Sequence, residues 1–291
     1  MSCRLLALDL DGTLLRPDGT VSDANLEAVG RAHDAGILVV PCTGRAWREA
    51  RDVTEQLPML DIGVFVTGAA VCRLSDGEAL DLAVIEPHLA ERLVAHLAPL
   101  PEAVLVFQDA GATGCDYLVT GSGQLSGNTE WWFGHTGAIA HFQSEVTADD
   151  LHHTLRVGVV TDAERMVEIE ASVKEAFGDE VFCHSFAAVS GPASAPERRE
   201  MIHVLEVFGT GTDKWRGLSY LAAEHEIAAQ EVVAIGDEIN DLAMVEQAGC
   251  GIAMANAVDP VKAAADQMTA ANTEDGVARA IDKVLDGTWG G

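Results

Sequence analysis

The sequence predicts an α/β fold, with a doubly wound parallel sheet as its core and a second α/β domain inserted into that core. Its 291 residues correspond to about two domains at roughly 150 residues each. Short apolar runs alternate with helical patterns near both ends of the chain, which is typical of parallel strands covered by helices on both faces. The pattern differs between residues 82 and 203, and we therefore expect the insertion there.

The N-terminal part contains the first half of the predicted core sheet. Its apolar runs predict strands over Leu5–Leu10, Ile37–Cys42 and Ile62–Val66. Apolar residues at helical spacing predict helices over Asn25–Ala35 and Ala46–Leu57. The first helix closes at Gly36, a common residue after a helix, and Pro58 stops the second. This order of strands and helices is that of a doubly wound sheet.

The same alternation returns in the C-terminal part of the chain. Strands are expected over Val232–Ile235 and Gly251–Met254. Helices are expected over Trp215–Ala229, Asp241–Ala248, Val258–Ala265 and Gly276–Leu285. We therefore expect residues 1–82 and 204–291 to form one core, and residues 83–203 to form the inserted domain.

The intervening segment has its own mixture of strands and helices. Strands are predicted over Val104–Phe107, Cys115–Thr120, Arg156–Val160 and Val181–His184, and helices over Pro87–Leu97 and Ala163–Phe177. Stretches rich in Gly, Ser, Pro and Ala predict loops over Gly121–Gly127 and Val189–Pro196. A basic pair, Arg198-Arg199, follows the second loop. Linkers are expected near Leu82 and over Val204–Gly209, where the insertion would hinge.

Charge and cysteine usage exclude several classes of partner. Lys and Arg total 18 against 46 Asp and Glu, a formal net charge of −28. That charge repels a phosphate backbone and an anionic membrane surface, so we expect neither nucleic acid nor membrane as a partner. The six cysteines form no C-x-x-C pair, which favours reduced residues in a cytoplasmic protein. The N-terminus has no pattern of a signal peptide, and no apolar run approaches the ~18 residues of a membrane span.

Polar side chains cluster where the predicted core strands end. Asp9 and Asp11 follow the first strand, Thr43 follows the second, and Asp237 follows the late strand, with Asn240 and Asp241 close behind. The carboxyl ends of parallel strands share one edge of a sheet, which is where such folds bind ligands. Several carboxylates at one edge repel each other unless a cation lies among them, and oxygen ligands suit Mg²⁺. Lys214, just before a predicted helix, is placed to reach the same edge.

The ordered motifs of this edge resemble those of the haloacid dehalogenase superfamily. They are Asp9-Leu10-Asp11-Gly12-Thr13, Thr43-Gly44-Arg45, Lys214, and Gly236-Asp237-Glu238-Ile239-Asn240-Asp241. The resemblance covers nearly the whole chain, and it is closest to the magnesium-dependent phosphatases of the Cof-like subgroup. It implies a Rossmann-like core with an inserted α/β cap domain.

The position of the insertion narrows the resemblance. The interval between Asp11 and Thr43 is too short for a cap, whereas the long insertion lies between Thr43 and Lys214. Cof-like proteins carry their α/β cap there, while the β-phosphoglucomutase-like and dehalogenase branches carry theirs between the first two motifs. Eukaryotic-type phosphomannomutases and the sucrose- or trehalose-phosphate phosphatases share this cap position and stay open as alternatives.

The resemblance implies a role for each motif residue. Asp9 is the expected nucleophile and Asp11 the expected general acid and base. The expected magnesium ligands are the Asp9 carboxylate, the Asp11 main-chain carbonyl and Asp237, with Asp241 as a direct ligand or as a partner one contact removed. The residues expected to bind phosphate or substrate are Gly12, Thr43, Gly44, Arg45, Lys214 and Asn240. For Arg45 the alternative is an ion pair with a neighbouring carboxylate.

Two neighbouring features leave alternatives open. Asn256 is equally suited to cap the helix that follows it or to shape the site. Cof-like proteins usually carry Asn-Gly-Ala after the third core strand, whereas this chain has Thr67-Gly68-Ala69. We expect that change to alter a hinge or a substrate contact, with the chemistry motifs intact.

Together these features predict a Mg²⁺-dependent phosphatase that hydrolyses a small phosphorylated metabolite, with a sugar phosphate as the expected class. The reaction would pass through an aspartyl-phosphate on Asp9. The alternatives are a phosphomutase, which would retain the phosphoryl group, and a non-catalytic phosphate-binding protein on the same fold.

Overall fold

The computed structural model describes residues 3–190 and 200–290, and the chain divides into two compact units. The core unit comprises Met1–Asp81 and Asp213–Gly291, and the inserted unit comprises Leu82–Thr212. The second boundary therefore lies later in the chain than the predicted one at residues 203 and 204. That predicted boundary falls inside a strand, Glu200–Gly209, which pairs on both sides within the inserted unit. The linker expected over Val204–Gly209 is therefore wrong.

The elements follow each other in this order. The strands are β1 (Leu5–Asp9), β2 (Leu38–Cys42), β3 (Ile62–Phe65), β4 (Ala70–Arg73), β5 (Ala79–Leu82), β6 (Val104–Gln108), β7 (Tyr117–Thr120), β8 (Ala140–Phe142), β9 (Thr154–Thr161), β10 (Val181–Ser190), β11 (Glu200–Gly209), β12 (Val232–Gly236), β13 (Cys250–Ala253) and β14 (Gln267–Met268). The α-helices are α1 (Asp23–Asp34), α2 (Trp47–Thr54), α3 (Pro87–Leu97), α4 (Ala110–Thr113), α5 (Gly127–Thr136), α6 (Ala163–Phe177), α7 (Lys214–Glu224), α8 (Leu242–Gln247), α9 (Asp259–Ala264) and α10 (Gly276–Leu285).

The core unit is built on a sheet of order β14-β13-β12-β1-β2-β3-β4-β5. Its strands run parallel from β14 to β3, and β4 pairs antiparallel to β3. Strand β1 is central, with Leu5 aligned to Val232 on one side and to Leu38 on the other. All five residues of β1 and of β12 are buried, as expected for strands covered on both faces. The predicted doubly wound core is therefore confirmed.

The register brings the carboxyl ends of three strands to one place. Asp9, the last residue of β1, is aligned with Cys42, the last of β2. On the other side of β1, β12 ends at Gly236. The loops after these strands therefore start side by side, as the sequence motifs require.

The inserted unit is a sheet of order β10-β11-β9-β6-β7-β8. Its pairs are antiparallel except for β7 and β8. One face is apolar and contacts α3 and α6, whose buried residues include Leu93 and Ile169. Helix α5 and strand β8 were not predicted, because α5 contains two glycines and β8 has only three residues. The unit is nevertheless the α/β domain that the sequence predicts.

The other face of this sheet carries a buried ion pair. Arg156 of β9 contacts Glu206 of β11 through a short hydrogen bond, and both side chains are buried. Arg156 also donates to the Tyr117 hydroxyl at 3.0 Å, and its guanidinium lies 5.0 Å from the centre of the Phe107 ring. No sequence pattern predicts this pair, since its members lie on strands far apart in the chain.

The remaining predictions concern the hairpin of β10 and β11. Strand β10 continues to Ser190, beyond the predicted end at His184, because it pairs with β11 along its whole length. The rest of the predicted loop Val189–Pro196, and Arg198-Arg199, lie outside the described residues. Among the described residues, no helix is both long and apolar enough to cross a membrane.

Candidate active site

The centre of the site is a lysine held between two carboxylates. Lys214 Nζ lies 2.6 Å from Asp9 Oδ1 and 2.5 Å from Asp241 Oδ1. All three residues are buried, and Lys214 is completely so. Lys214 is the first residue of α7, and the Asp213 side chain caps that helix by accepting the Arg216 N–H at 2.8 Å. The start of α7 thus positions Lys214 in contact with Asp9, the last residue of β1.

Asp241 fastens the loop after β12. Its Oδ2 accepts the N–H groups of Asp237 at 2.8 Å and of Glu238 at 3.0 Å, while its Oδ1 accepts from Lys214. Both carboxylate oxygens are therefore engaged by the protein. Asp241 therefore orients Lys214 and the turn that carries Asp237. An ion that bound Asp241 would share an oxygen that already accepts a hydrogen bond.

Asp237 lies over the first motif loop. Its Oδ1 accepts from the Thr13 hydroxyl at 2.8 Å, and its Oδ2 lies 3.3 Å from Asn256 Nδ2. Asn256 also donates to the Gly12 carbonyl at 2.8 Å. A Cβ on Gly12 would lie 2.2 Å from Asp237 Oδ2, and Gly12 has a φ of +83°. Only glycine allows this close approach.

The electrostatics of the cluster are unbalanced. Burial raises the pKa of Asp9 well above its usual value, and the neighbouring Asp241 carboxylate raises it further, although Lys214 opposes both effects. Burial and Asp241 also raise the pKa of Asp237, to about 6. Burial alone would lower the pKa of Lys214, but the carboxylates of Asp241 and Asp9 outweigh it and raise that pKa. Lys214 is therefore charged, and one ammonium faces three carboxylates.

The donor set fits a divalent cation. Asp9, Asp237 and Asp241 each offer an oxygen, and these oxygens all lie within 4.8 Å of one another. Asp9 Oδ2 is buried and has no hydrogen-bond partner among the described residues. A buried carboxylate oxygen without a partner is costly. A hard cation held by these carboxylates would offset the excess negative charge.

Asp11 and Arg45 form a separate pair at the mouth of the site. Arg45 Nε donates to Asp11 Oδ2 at 2.7 Å, and the Arg45 Nη2 group makes a second, shorter contact with Asp11 Oδ1. The Asp11 side chain is 55% exposed, whereas that of Arg45 is 29% exposed. Arg45 was predicted to bind phosphate or substrate, and in this structure its guanidinium orients the Asp11 carboxylate.

The remaining predicted residues lie along the loop after β2 and near it. Thr43 is buried, and its Oγ1 accepts the Arg45 N–H at 3.1 Å. A Cβ on Gly44 would lie 3.5 Å from Asn240 Nδ2. The structure therefore brings together side chains from the loops after β1, β2 and β12, as the spacing of the motifs predicted.

Sequence reasoning did not assign Thr13 and Asn256 to the site. Thr13 is the last residue of the first motif, and spacing alone does not predict its contact with Asp237. Asn256 does not cap α9, because the residue before that helix is Val258. Its amide instead joins the Gly12 carbonyl to Asp237, which settles the open alternative in favour of the site.

Comparisons with known proteins agree with this geometry. A family model of haloacid dehalogenase-like hydrolases matches residues 6–281. Two 5-amino-6-(5-phospho-D-ribitylamino)uracil phosphatases of Bacillus subtilis (strain 168) are similar to the chain. One is 29% identical over 307 residues, covering 99% of this chain and 100% of the relative, and the other is 30% identical over 278 residues, covering 94% and 95%.

Solved structures share the fold as well. A haloacid dehalogenase-like hydrolase from Bacteroides thetaiotaomicron has a TM-score of 0.74 and 26% identity, and the match covers 97% of this chain and 100% of that one. With the family model spanning nearly the whole chain, the resemblance inferred from the motifs is confirmed. The chain therefore belongs to the haloacid dehalogenase-like hydrolases, in their Cof-like subgroup, and is a phosphoric monoester hydrolase.

Proposed function

We propose that the protein hydrolyses a small phosphorylated metabolite in a Mg²⁺-dependent reaction that passes through an aspartyl-phosphate on Asp9. The observation that carries this proposal is the position of Asp9. Its Oδ1 is held by Lys214 at 2.6 Å, while its Oδ2 is buried and has no hydrogen-bond partner among the described residues. One oxygen is thus fixed by the protein, and the other is left for the reaction.

In the first step, Asp9 Oδ2 attacks the phosphorus atom and the bond to the leaving oxygen breaks. Nucleophilic attack by a carboxylate splits one difficult displacement into two easier ones. Lys214 favours the ionised form of Asp9 and so opposes the burial that raises the pKa of Asp9, because an ammonium at hydrogen-bond distance stabilises a carboxylate. Lys214 and Thr43 also stabilise the phosphoryl oxygens.

Asp11 handles the protons of both steps. It donates a proton to the leaving oxygen in the first step, and it accepts a proton from the attacking water in the second. The water oxygen then binds phosphorus, the bond to Asp9 breaks, and inorganic phosphate leaves. Since Arg45 holds the Asp11 carboxylate through two contacts, Asp11 exchanges at least one of them for the substrate oxygen during the cycle.

The carboxylates of Asp9 and Asp237 and the main-chain carbonyl of Asp11 would hold Mg²⁺, which would supply positive charge to the transferring phosphoryl group. Asp237 is oriented for that task by Thr13 and Asn256. Asp241 acts one contact away, through Lys214 and the turn at Asp237.

We propose a sugar phosphate, or a phosphate ester of a related polyol, as the substrate class. The support is that two relatives similar over their whole length are named for a substrate that carries a phosphorylated ribityl chain. All six cysteines are free, which supports action in a reducing compartment such as the cytoplasm.

The direct test measures phosphate release from an aryl phosphate, a panel of sugar phosphates, and 5-amino-6-(5-phospho-D-ribitylamino)uracil. Each is assayed with Mg²⁺, with a chelator, and with the Asp9→Asn variant. The proposal predicts metal-dependent release that Asp9→Asn abolishes. An isomerised sugar phosphate without free phosphate would instead indicate a phosphomutase. Phosphate binding without any turnover would indicate a binding protein.

A further inference from the structure

The chain makes a strained turn directly after β3, beside the proposed phosphate site. Val66, Thr67 and Gly68 have φ values of +51°, +53° and +91°, although Val66 and Thr67 are β-branched and avoid this region. The turn is fastened to the loop after β2: the Val66 N–H donates to the Arg45 carbonyl at 2.9 Å, and the Thr67 N–H donates to the Thr43 carbonyl at 3.1 Å. The core thus holds Thr67 in an unfavourable conformation.

The Thr67 hydroxyl is buried without a partner. Thr67 is completely buried, and its Oγ1 makes no hydrogen bond with any of the described residues. Asp9 Oδ2, the proposed nucleophile, is in the same condition. Leaving a buried hydroxyl unsatisfied is unfavourable, so strain and an unmet hydrogen bond coincide at one residue. Such coincidences concentrate at functional sites.

The surroundings of the hydroxyl indicate what it binds. The position that a Gly44 Cβ would occupy lies 3.4 Å from Thr67 Oγ1 and 3.5 Å from Asn240 Nδ2. The Thr67 hydroxyl and the Asn240 amide group therefore both lie next to the side of Gly44 where a larger residue would carry its side chain. An amide nitrogen only donates hydrogen bonds, and a hydroxyl can donate one. Two donors directed at one place favour an anionic oxygen over a cation.

We propose that Thr67 is a phosphate-binding residue of this site, whose hydroxyl donates a hydrogen bond to an oxygen of the transferring phosphoryl group jointly with Asn240. The inference rests on the proposed function, and it adds to it a residue from the turn after β3. The contact forms with substrate and persists with the phosphate product.

The test compares Thr67→Val, which keeps the β-branched shape and removes the hydroxyl, with Thr67→Ser, which keeps the hydroxyl. The matched control is Thr154→Val. Thr154 belongs to the inserted unit, is also completely buried, and also has an Oγ1 without a partner among the described residues. Inorganic phosphate is titrated calorimetrically into each variant with Mg²⁺, and kcat/KM is measured with an aryl phosphate.

We expect Thr67→Val to weaken phosphate binding and to lower kcat/KM by about tenfold each, because a hydrogen bond to a charged group is lost. Thr67→Ser should retain both values within about threefold, and Thr154→Val should match the wild type. The melting temperatures of both valine variants should equal or exceed that of the wild type, since an unsatisfied hydroxyl is removed.

Two results would overturn the inference. One is a phosphate affinity of Thr67→Val within about twofold of that of the wild type. The Thr67 hydroxyl would then have no role in phosphate binding and would at most bind a buried water molecule. The other is an equal loss in Thr67→Ser, which would make the role one of packing. Failure of the proposed function looks different: the wild type would show no turnover that depends on Asp9, while the calorimetric titration would still report on Thr67.

Discussion

The core unit sets one ammonium, that of Lys214, against the carboxylates of Asp9, Asp237 and Asp241, whereas the inserted unit pairs one guanidinium, that of Arg156, with Glu206. Both clusters are buried and bridge residues far apart in the chain. In the inserted unit the Arg156 charge has a carboxylate partner in contact. In the core the carboxylates outnumber the cation, and one of their oxygens has no hydrogen-bond partner in the described part of the chain.

The difference shows what each cluster does. A buried charge is tolerated when an opposite charge and hydrogen bonds satisfy it, and the Arg156–Glu206 pair meets that condition within the fold. The core cluster does not, and the pKa values of Asp9 and Asp237 are raised as a consequence. From this imbalance we expect a cation and a substrate to bind at the core cluster.

The largest effect is expected for Lys214→Met. Without the ammonium, Asp9 loses the charge that favours its ionised form, and the phosphoryl oxygens lose a hydrogen-bond donor. We expect kcat/KM to fall by about a thousandfold or more. The control is Lys174→Met, which breaks an exposed helical pair with Glu170 and should leave kcat/KM unchanged. A Lys214→Met variant within about tenfold of the wild type would contradict the assigned role.

The Arg156–Glu206 pair should affect stability. Replacing Glu206 with leucine leaves the Arg156 charge buried without its carboxylate, and we expect a loss of about 3–5 kcal/mol in the free energy of unfolding. The double variant Arg156→Met/Glu206→Leu removes both charges and should recover most of that loss. Urea unfolding of the three proteins measures it. Equal instability of the single and double variants would show that the ion pair itself matters little.

Stability of the core should depend on pH and Mg²⁺ together. The folded-state pKa of Asp237 is raised to about 6, and that of Asp9 is raised as well. Each contributes stability that is present below the unfolded pKa of about 4 and is lost as the pH rises through the folded pKa. The metal-free protein should therefore lose stability as the pH rises through about 6.

Mg²⁺ should reverse this loss, because it binds the ionised carboxylates. We expect the increase in melting temperature on adding Mg²⁺ to be larger at neutral pH than at pH values near 5. The Asp237→Asn variant is the control and should lack most of that increase. A Mg²⁺ effect that does not change with pH would argue against an ion bound by these carboxylates.

The smallest effect is expected for Arg45→Lys. A lysine keeps the charge but cannot make the paired contacts that Arg45 makes with Asp11. We expect kcat/KM to fall by about tenfold, with little change in melting temperature because Asp11 is exposed. Kinetics with leaving groups of different basicity would locate the defect. Poor leaving groups should suffer most, since Asp11 protonates the leaving oxygen.

The core could be predicted further than the inserted unit. Parallel strands with buried faces are continuous apolar runs. A candidate functional residue lies at the end of each run: Asp9 is the last residue of β1, and Thr43 comes directly after β2. Short motifs at the ends of apolar runs therefore predicted both the strands of the core sheet and the residues of the candidate site. The inserted unit is an antiparallel sheet whose pairings join distant segments, and β11 was mistaken for a linker because only its partners identify it as a strand.

Within the site, residues in motifs were predicted and residues that act through side-chain contacts were not. The contact of Thr13 with Asp237 depends on how loops fold back on each other, as does the choice of Asp11 as the carboxylate that pairs with Arg45. The unsatisfied hydroxyl of Thr67 depends on a backbone conformation that β-branched residues rarely adopt. Neither kind of information is present in residue spacing.

The central claim is that Asp9 carries the phosphoryl group. It is tested most directly by mixing the Asp11→Asn variant with para-nitrophenyl phosphate and Mg²⁺, quenching in acid, and locating the added phosphoryl group by peptide mass spectrometry. This substrate needs little help from an acid, so the first step proceeds and the second stalls without its base. We predict a phosphorylated peptide with the modification on Asp9. The double variant Asp9→Asn/Asp11→Asn should yield no such peptide. Phosphate release that survives Asp9→Asn, or a phosphoryl group on another residue, would contradict the account.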